Sequence, residues 1–399
     1  MDISRSQLAW ITVGKTVVST AVRWLPFFLP TLAIAFATTT SQLTIVLGMG
    51  EMAGLSTLFI GRHLDAGRER WIMVGALGLI AVASLLALVG DLWVFAVAYV
   101  VLIIGMSAYT VAGHTYFSRR VPYERRARTI GTFETSWALS LLLGAPLAAL
   151  AISWFGWRAP FAILSGLAVA MAVILWRRAD NSVPMSDTKA QAMGQRLNVD
   201  AWILIAASAC TATTGLTTIV IVGTWLSDEL GVSTGGIGLI AMAFGAAELT
   251  ASTSSAAIAD RAGPMRSTRI ALVIAIVGLI VMTQASASLA IGAIGLFLFF
   301  LGFEFAIVTS FSVVSEAMPA ARGRALATNN AVSTVARGCG IVASGVLYEQ
   351  FGIKGPAAIS ITTAAIGLML LSIGLRRSQH NVNVPLVALA GQNSCSKPE

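Results

Sequence analysis

Charge is what this chain has least of. Asp, Glu, Lys and Arg make up only 11% of its 399 residues, while hydrophobic residues make up 56%; a soluble globular domain carries roughly 25% charged residues. With a mean hydropathy of +0.82, a water-soluble fold is excluded. Cysteine is equally scarce: Cys210, Cys339 and Cys395 have neither the number nor the spacing of a disulfide framework or a metal site. The three histidines, His63, His114 and His380, stand at no metal or triad spacing, and no His-Glu-x-x-His, phosphate loop or nucleophile elbow is present. No enzymatic activity, cofactor or metal is therefore expected. The net charge of +8 is spread as short basic clusters between apolar runs, which excludes a nucleic-acid surface and points to membrane topology.

What is abundant is long apolar sequence. A membrane span needs ~20 mostly apolar residues, and backbone groups in lipid must pair internally, so the spans are helices. Twelve fit, at about 9 to 36, 43 to 62, 71 to 90, 92 to 118, 129 to 153 and 159 to 176, then about 201 to 227, 235 to 258, 268 to 287, 289 to 315, 325 to 348 and 355 to 375. The fold class is an all-α polytopic membrane protein of two six-helix bundles. Residues 1–177 form the first bundle, 178–200 a cytoplasmic linker, 201–377 the second bundle and 378–399 a tail expected to be disordered. Twenty-one basic residues fall on one side of the membrane, thirteen from the first half and eight from the second; Arg158 and Lys354 are the two on the other. The positive-inside rule then puts both termini in the cytoplasm.

The halves are copies. Gly61, Asp65, Gly67 and Arg70 mark a short turn after the second span; Ala256, Asp260, Arg261, Gly263 and Arg266 mark its twin after the eighth, one residue longer. Phe155, Gly156, Arg158 and Pro160 recur 196 residues later as Phe351, Gly352, Lys354 and Pro356. So steady an offset is an internal duplication, and six spans per copy give the copies one orientation, related by an axis along the membrane normal.

Twelve spans in two copies with these turns resemble the major facilitator superfamily. Gly156 to Phe161, with Trp225, Leu226, Leu230, Gly231, Gly238 and Glu248, resembles more narrowly its bacterial proton-coupled drug and metabolite efflux branch. Two features depart from that pattern: Ala66 replaces the basic residue that usually follows the Asp, and the Gly-Pro signature of the fifth span is reduced to Gly144, Ala145, Pro146. The resemblance implies a multi-pass protein of the bacterial inner membrane, with a small-molecule substrate, the lipid bilayer as its surroundings, no nucleic-acid partner and a single chain as the functional unit. It also implies that the turn carboxylates Asp65 and Asp260 latch the cytoplasmic side in the outward-open state, and that spans 3, 6, 9 and 12 lie outermost.

Lys15, Arg23, Glu51, Glu134, Glu248, Glu304 and Arg337 lie inside apolar segments. Each would cost ~2.5–3.5 kcal/mol at the bilayer centre unless it faced the bundle interior. The structural expectation pairs Arg23 with Glu51 and Arg337 with a glutamate of its own half. Arg337 balances only one of Glu248 and Glu304, which leaves the other as the candidate proton carrier; Glu304 is favoured because span 10 lines the cavity in the family, with Glu51 and Glu134 as alternatives. Tyr109, Thr214, Thr218 and Phe303 are weaker candidates for lining the cavity, since threonine also bonds its own helix backbone. Small residues four apart, Gly50 and Gly54, Ser140 and Gly144, Ala247 and Ala251, Ala336 and Gly340, suit close helix approach.

The expected function is secondary transport by alternating access, with proton-driven efflux of a small amphiphilic molecule. The alternatives are proton symport or facilitated import of a nutrient and, from another class, a non-transporting sensor or partner subunit on the same fold. Reporter fusions at Ser182 and Gln379 should both read cytoplasmic; an external reading at either would overturn the topology.

Overall fold

The computed structural model describes residues 4–179, 197–285, 288–318 and 322–392; the side chains of residues 62, 65, 123, 124, 126, 127, 252, 255–262, 322, 323 and 376–392 lie outside the description. Among the described residues twelve helices are long and apolar enough to span a membrane: Arg5–Ala35, Thr40–Gly61, Glu69–Ala87, Leu92–Arg120, Arg128–Phe155 and Ala159–Arg178, then Val199–Asp228, Thr234–Ala251, Pro264–Thr283, Leu289–Ala317, Arg324–Phe351 and Lys354–Leu375. They are numbered spans 1 to 12. The end that holds Arg5 is called the near end, the opposite one the far end.

Local chemistry sets the helix ends. Ser4 with Gln7, and Thr39 with Gln42, form capping boxes at the starts of spans 1 and 2. Asp91 accepts from the backbone N–H of Trp93 and Val94 at the start of span 4, and Asn198 caps span 7 through Ala201 N–H. The duplication returns in the turns: Gly67 and Gly263 both have φ near +80° (75° and 81°), as do Gly156 and Gly352 in kind (80° and 57°), a region that costs glycine nothing. The helix of span 12 runs on as Lys354–Gln392, so the backbone is helical as far as Gln392 where a disordered tail was expected. Continuing a formed helix needs no new nucleus. Most of the expected linker, and the tail beyond Gln392, lie outside the described residues.

The copies differ in regularity. Spans 7 and 8 run as unbroken helices, Val199–Asp228 and Thr234–Ala262, and so does span 11, Arg322–Phe351. Their first-half twins are interrupted: a 3₁₀ turn at Leu25–Phe28 in span 1, another at Met52–Ser56 in span 2, and a widened π turn at Ser140–Gly144 in span 5. Pro26 and Pro146 each remove an N–H that the ladder needs, which accounts for the first and third; the second contains Gly54.

Spans 3, 6, 9 and 12 pack within their own halves, while spans 1, 2 and 5 meet spans 7, 8 and 11 across the interface. Contact is closest toward the far end. Gly48 and Gly338 face each other so closely that a Cβ on either would lie 2.5–2.6 Å from the other's carbonyl oxygen. Gly245, 197 residues after Gly48, meets the backbone of Leu142 in the same way. Ser41 N–H donates to Glu349 Oε1 across the halves at 2.9 Å. Phe27 of span 1 packs on Phe244 of span 8, which stacks on Phe300 of span 10 with centroids 3.7 Å apart. The far end is sealed by small residues and rings.

Leu in place of Gly48 would overpack this crossing at a cost of about 1–3 kcal/mol. Gly48→Leu should fold yet lose the sealed far end, read as increased thiol labelling of a cysteine introduced at Ser41; unchanged labelling would mean that the crossing is not what closes it.

Candidate functional site

The intramembrane charges meet at the interface, but not in the expected pairs. Arg23 Nη1 bonds Glu248 Oε2 at 3.0 Å, and Arg337 Nη2 bonds Glu51 Oε2 at 3.0 Å. Both pairs cross from one half to the other, which corrects the expectation of pairing inside each half. The reason is geometric: Glu51 and Glu248 are twins 197 residues apart, each on an even span that lies against an odd span of the opposite copy. Arg337 has no charged twin, for Ser140 stands 197 residues before it. Arg23 fills that place from span 1, donating to Ser140 Oγ at 3.3 Å and to the Trp137 carbonyl at 2.5 Å, with its guanidinium over the Trp137 ring. The widened turn that begins at Ser140 presents these acceptors. Arg337 is steadied by Thr334 Oγ1, and Glu51 accepts from Tyr99 Oη at 3.4 Å.

Glu304 is the odd charge. It is buried on span 10, makes no hydrogen bond or ion pair among the described residues, and lies within electrostatic reach of Glu248 and Arg23. Arg23 is paired with Glu248, which leaves Glu304 as a buried carboxylate without an ion pair among the described residues. The expectation that Arg337 balances one of Glu248 and Glu304 is corrected: Arg337 is engaged by Glu51, and Glu248 is paired with Arg23 of the other half.

Glu134 forms a second centre. Its Oε1 accepts from Lys15 Nζ at 2.6 Å and lies 2.6 Å from His114 Nε2. Lys15 is 1% exposed and sits over the Phe133 ring, whereas Glu134 and His114 are 44% and 42% exposed. This centre, unlike the interfacial pairs, is partly exposed. Sequence reasoning left His114 as a solitary histidine; its signal was its position on span 4, facing Glu134 on span 5.

The weaker candidates are packing residues. Tyr109 is buried and donates to the Ile11 carbonyl at 2.9 Å. Thr214 shares a 2.9 Å hydrogen bond with Thr363 and returns another to the Cys210 carbonyl; Thr218 pairs with Ser360 at 2.8 Å. Phe303 lies against Gly215 and stacks on Phe299. None of the four lines an opening. Of the turn residues, Gly61 stands in open space, Gly67 and Gly263 make the positive-φ turns, Arg266 is exposed, and Arg70 caps the Trp176 carbonyl while covering its ring. The side chains of Asp65, Asp260 and Arg261 lie outside the described residues, so their latch role stays an expectation.

Removing one partner of a buried pair leaves the other charge uncompensated, at about 3–5 kcal/mol, while removing both is far cheaper. Arg337→Gln should lower the thermal unfolding temperature more than the double change Arg337→Gln with Glu51→Gln. Additive losses would mean that the pair contributes no coupling.

Comparison with known proteins places the fold. Bacterial Spinster-homologue structures superpose on the chain: the inward-facing, occupied form at a TM-score of 0.79 and 15% identity, covering 93% of this chain and 96% of that one, and the inward-facing, unoccupied form at 0.72, also with 15% identity, covering 98% and 96%. An uncharacterized MFS-type transporter, YwfA of Bacillus subtilis, is 27% identical over 362 residues, 86% of this chain and 85% of its own. A probable sugar efflux transporter of Pasteurella multocida is 26% identical over 110 residues, 27% of each chain. The sequence profile of the Major Facilitator Superfamily matches residues 11–320 and 203–390. A twelve-span helical membrane protein matched along nearly its whole length, this chain belongs to the Major Facilitator Superfamily and is a transporter, not an enzyme.

Proposed function

We propose that the protein is a proton-coupled exporter of a small amphiphilic molecule, working by alternating access between its halves. The single observation that carries the coupling is the surplus carboxylate: Glu248 takes Arg23, while the buried Glu304 has no ion-pair partner among the described residues, and a proton is the smallest cation that balances it. Its place matters as much as its charge. Arg23 and Glu248 belong to opposite halves, so any rocking that opens the far end separates them, admits water and changes how the group is neutralised. Export, as against import, is supported by the partial likeness to a probable sugar efflux transporter and by the resemblance of the span 7 and 8 residues to efflux proteins. With the arginine-rich side in the cytoplasm, the partly exposed centre at Glu134 and His114 faces inward, and the sealed conformation is the one that loads from the cytoplasm. The proposed bodies are residues 1–177 and 201–377.

Purified protein in vesicles, followed with a pH-sensitive dye across a compound panel, tests transport and its direction; proton movement with the substrate instead of against it would replace export with symport, and no flux of any compound would favour a non-transporting role. Within that assay Glu304→Gln should abolish the dependence on a pH gradient while leaving substrate exchange measurable. Full retention of gradient dependence in this variant would move the proton site elsewhere, with Glu134 the next residue to change.

A further inference from the structure

Six near-end arginines of the first half, at the ends of spans 3, 4 and 6, divide into two groups. Arg119 is satisfied internally, bonding the buried Glu69 at 2.5 Å, and Arg120 lies over the Tyr116 ring. Arg68, Arg70, Arg177 and Arg178 have no carboxylate partner among the described residues, although Glu69 is the chain neighbour of two of them. Glu69 is turned inward and fully buried. Arg70 bonds the Trp176 carbonyl and so ties the start of span 3 to the end of span 6, where Arg177 and Arg178 follow in the chain.

This patch has a shape as well as a charge. Trp71 and Trp176 meet edge to face with centroids 4.4 Å apart, and Arg70 covers the Trp176 ring. Both tryptophans remain 40–56% exposed on the membrane-facing side, the position of an interfacial belt. Beside them His63, Arg68, Trp71 and Ile72 line a cleft of about 540 Å³. Arg68 Nη1 stands 3.4 Å from His63 Nδ1, so a guanidinium and an imidazole meet at the cleft, with no carboxylate bonded to either among the described residues. A cleft with guanidinium at its mouth, an indole wall and an apolar floor matches a molecule that is anionic at one end and hydrocarbon at the other.

We propose that this cleft binds an anionic phospholipid, with the headgroup phosphate against the outer face of the Arg68 guanidinium, Arg70 adding to its field, and an acyl chain along Trp71 and Ile72. The chemistry is that of a basic site between spans at the headgroup level, strengthened by the planar fork that guanidinium offers to phosphate. The twin turn in the second half carries Arg266 and Arg269 with no tryptophan pair beside them, so the site belongs to the first half alone. It depends on neither the substrate nor the coupling ion.

The test uses the full chain purified in detergent, titrated with phosphatidylglycerol, phosphatidylcholine or inorganic phosphate, with bound lipid read by native mass spectrometry and stability by thermal unfolding. Phosphatidylglycerol should be retained and stabilising, phosphatidylcholine much less so, and phosphate alone without effect. Each of Arg68→Gln and Arg70→Gln should weaken phosphatidylglycerol binding about fivefold, the effect of one arginine near a charged surface, while Arg266→Gln leaves it unchanged. Equal retention of the two lipids, stabilisation by phosphate alone, or an equal loss in Arg266→Gln would each overturn the proposal.

Discussion

A charge placed in hydrocarbon has to find its partner inside the protein, and in this chain the partner lies in the other half. Arg23 with Glu248, and Glu51 with Arg337, are each a buried group that its own six-helix bundle leaves uncompensated. The two halves are therefore not merely in contact. Each needs the other to make its charges tolerable, and the dry seal of Gly48, Gly338, Gly245 and the Phe27, Phe244, Phe300 rings keeps water from supplying a substitute. Close packing and charge pairing reinforce one another at one level of the membrane.

The same constraint explains the division of labour between the two charged centres. The interfacial centre has one carboxylate too many and lies where the halves must separate. The Lys15, Glu134, His114 centre draws on spans 1, 4 and 5 alone, so the proposed motion of one half against the other would leave it intact. In the proposed rocking motion one centre would change its composition and the other would not.

The fold was legible because hydropathy, basic clusters and the repeat at offsets of 195 to 197 are properties of a linear sequence, and lipid leaves a twelve-span chain few alternatives. The set of buried charges was legible for the same reason, since each stood out against an apolar run. Their pairing was not. Arg23 and Glu248 are 225 residues apart and Glu51 and Arg337 are 286, and the duplication itself misleads by suggesting that each copy is complete. The threonines misled in the opposite sense. Thr214 and Thr218 look like lining because they are polar in an apolar span, yet helix carbonyls and facing hydroxyls absorb them. Polarity marks what needs a partner, and only the packing says whether that partner is backbone, side chain or ligand.

The irregular turns at Leu25–Phe28, Met52–Ser56 and Ser140–Gly144 all belong to the first copy, and each begins within a residue or two of a group in the interfacial pairs: Arg23, Glu51, and the Ser140 that receives Arg23. A helix whose ladder is locally broken bends at lower cost than a continuous one. Spans 7, 8 and 11, which oppose them, are unbroken. Two copies of equal ancestry have thus become mechanically unequal, one acting as the compliant member and the other as the stiff one. In the proposed alternating-access cycle, bending would concentrate in the first copy, at the depth of the interfacial ion pairs.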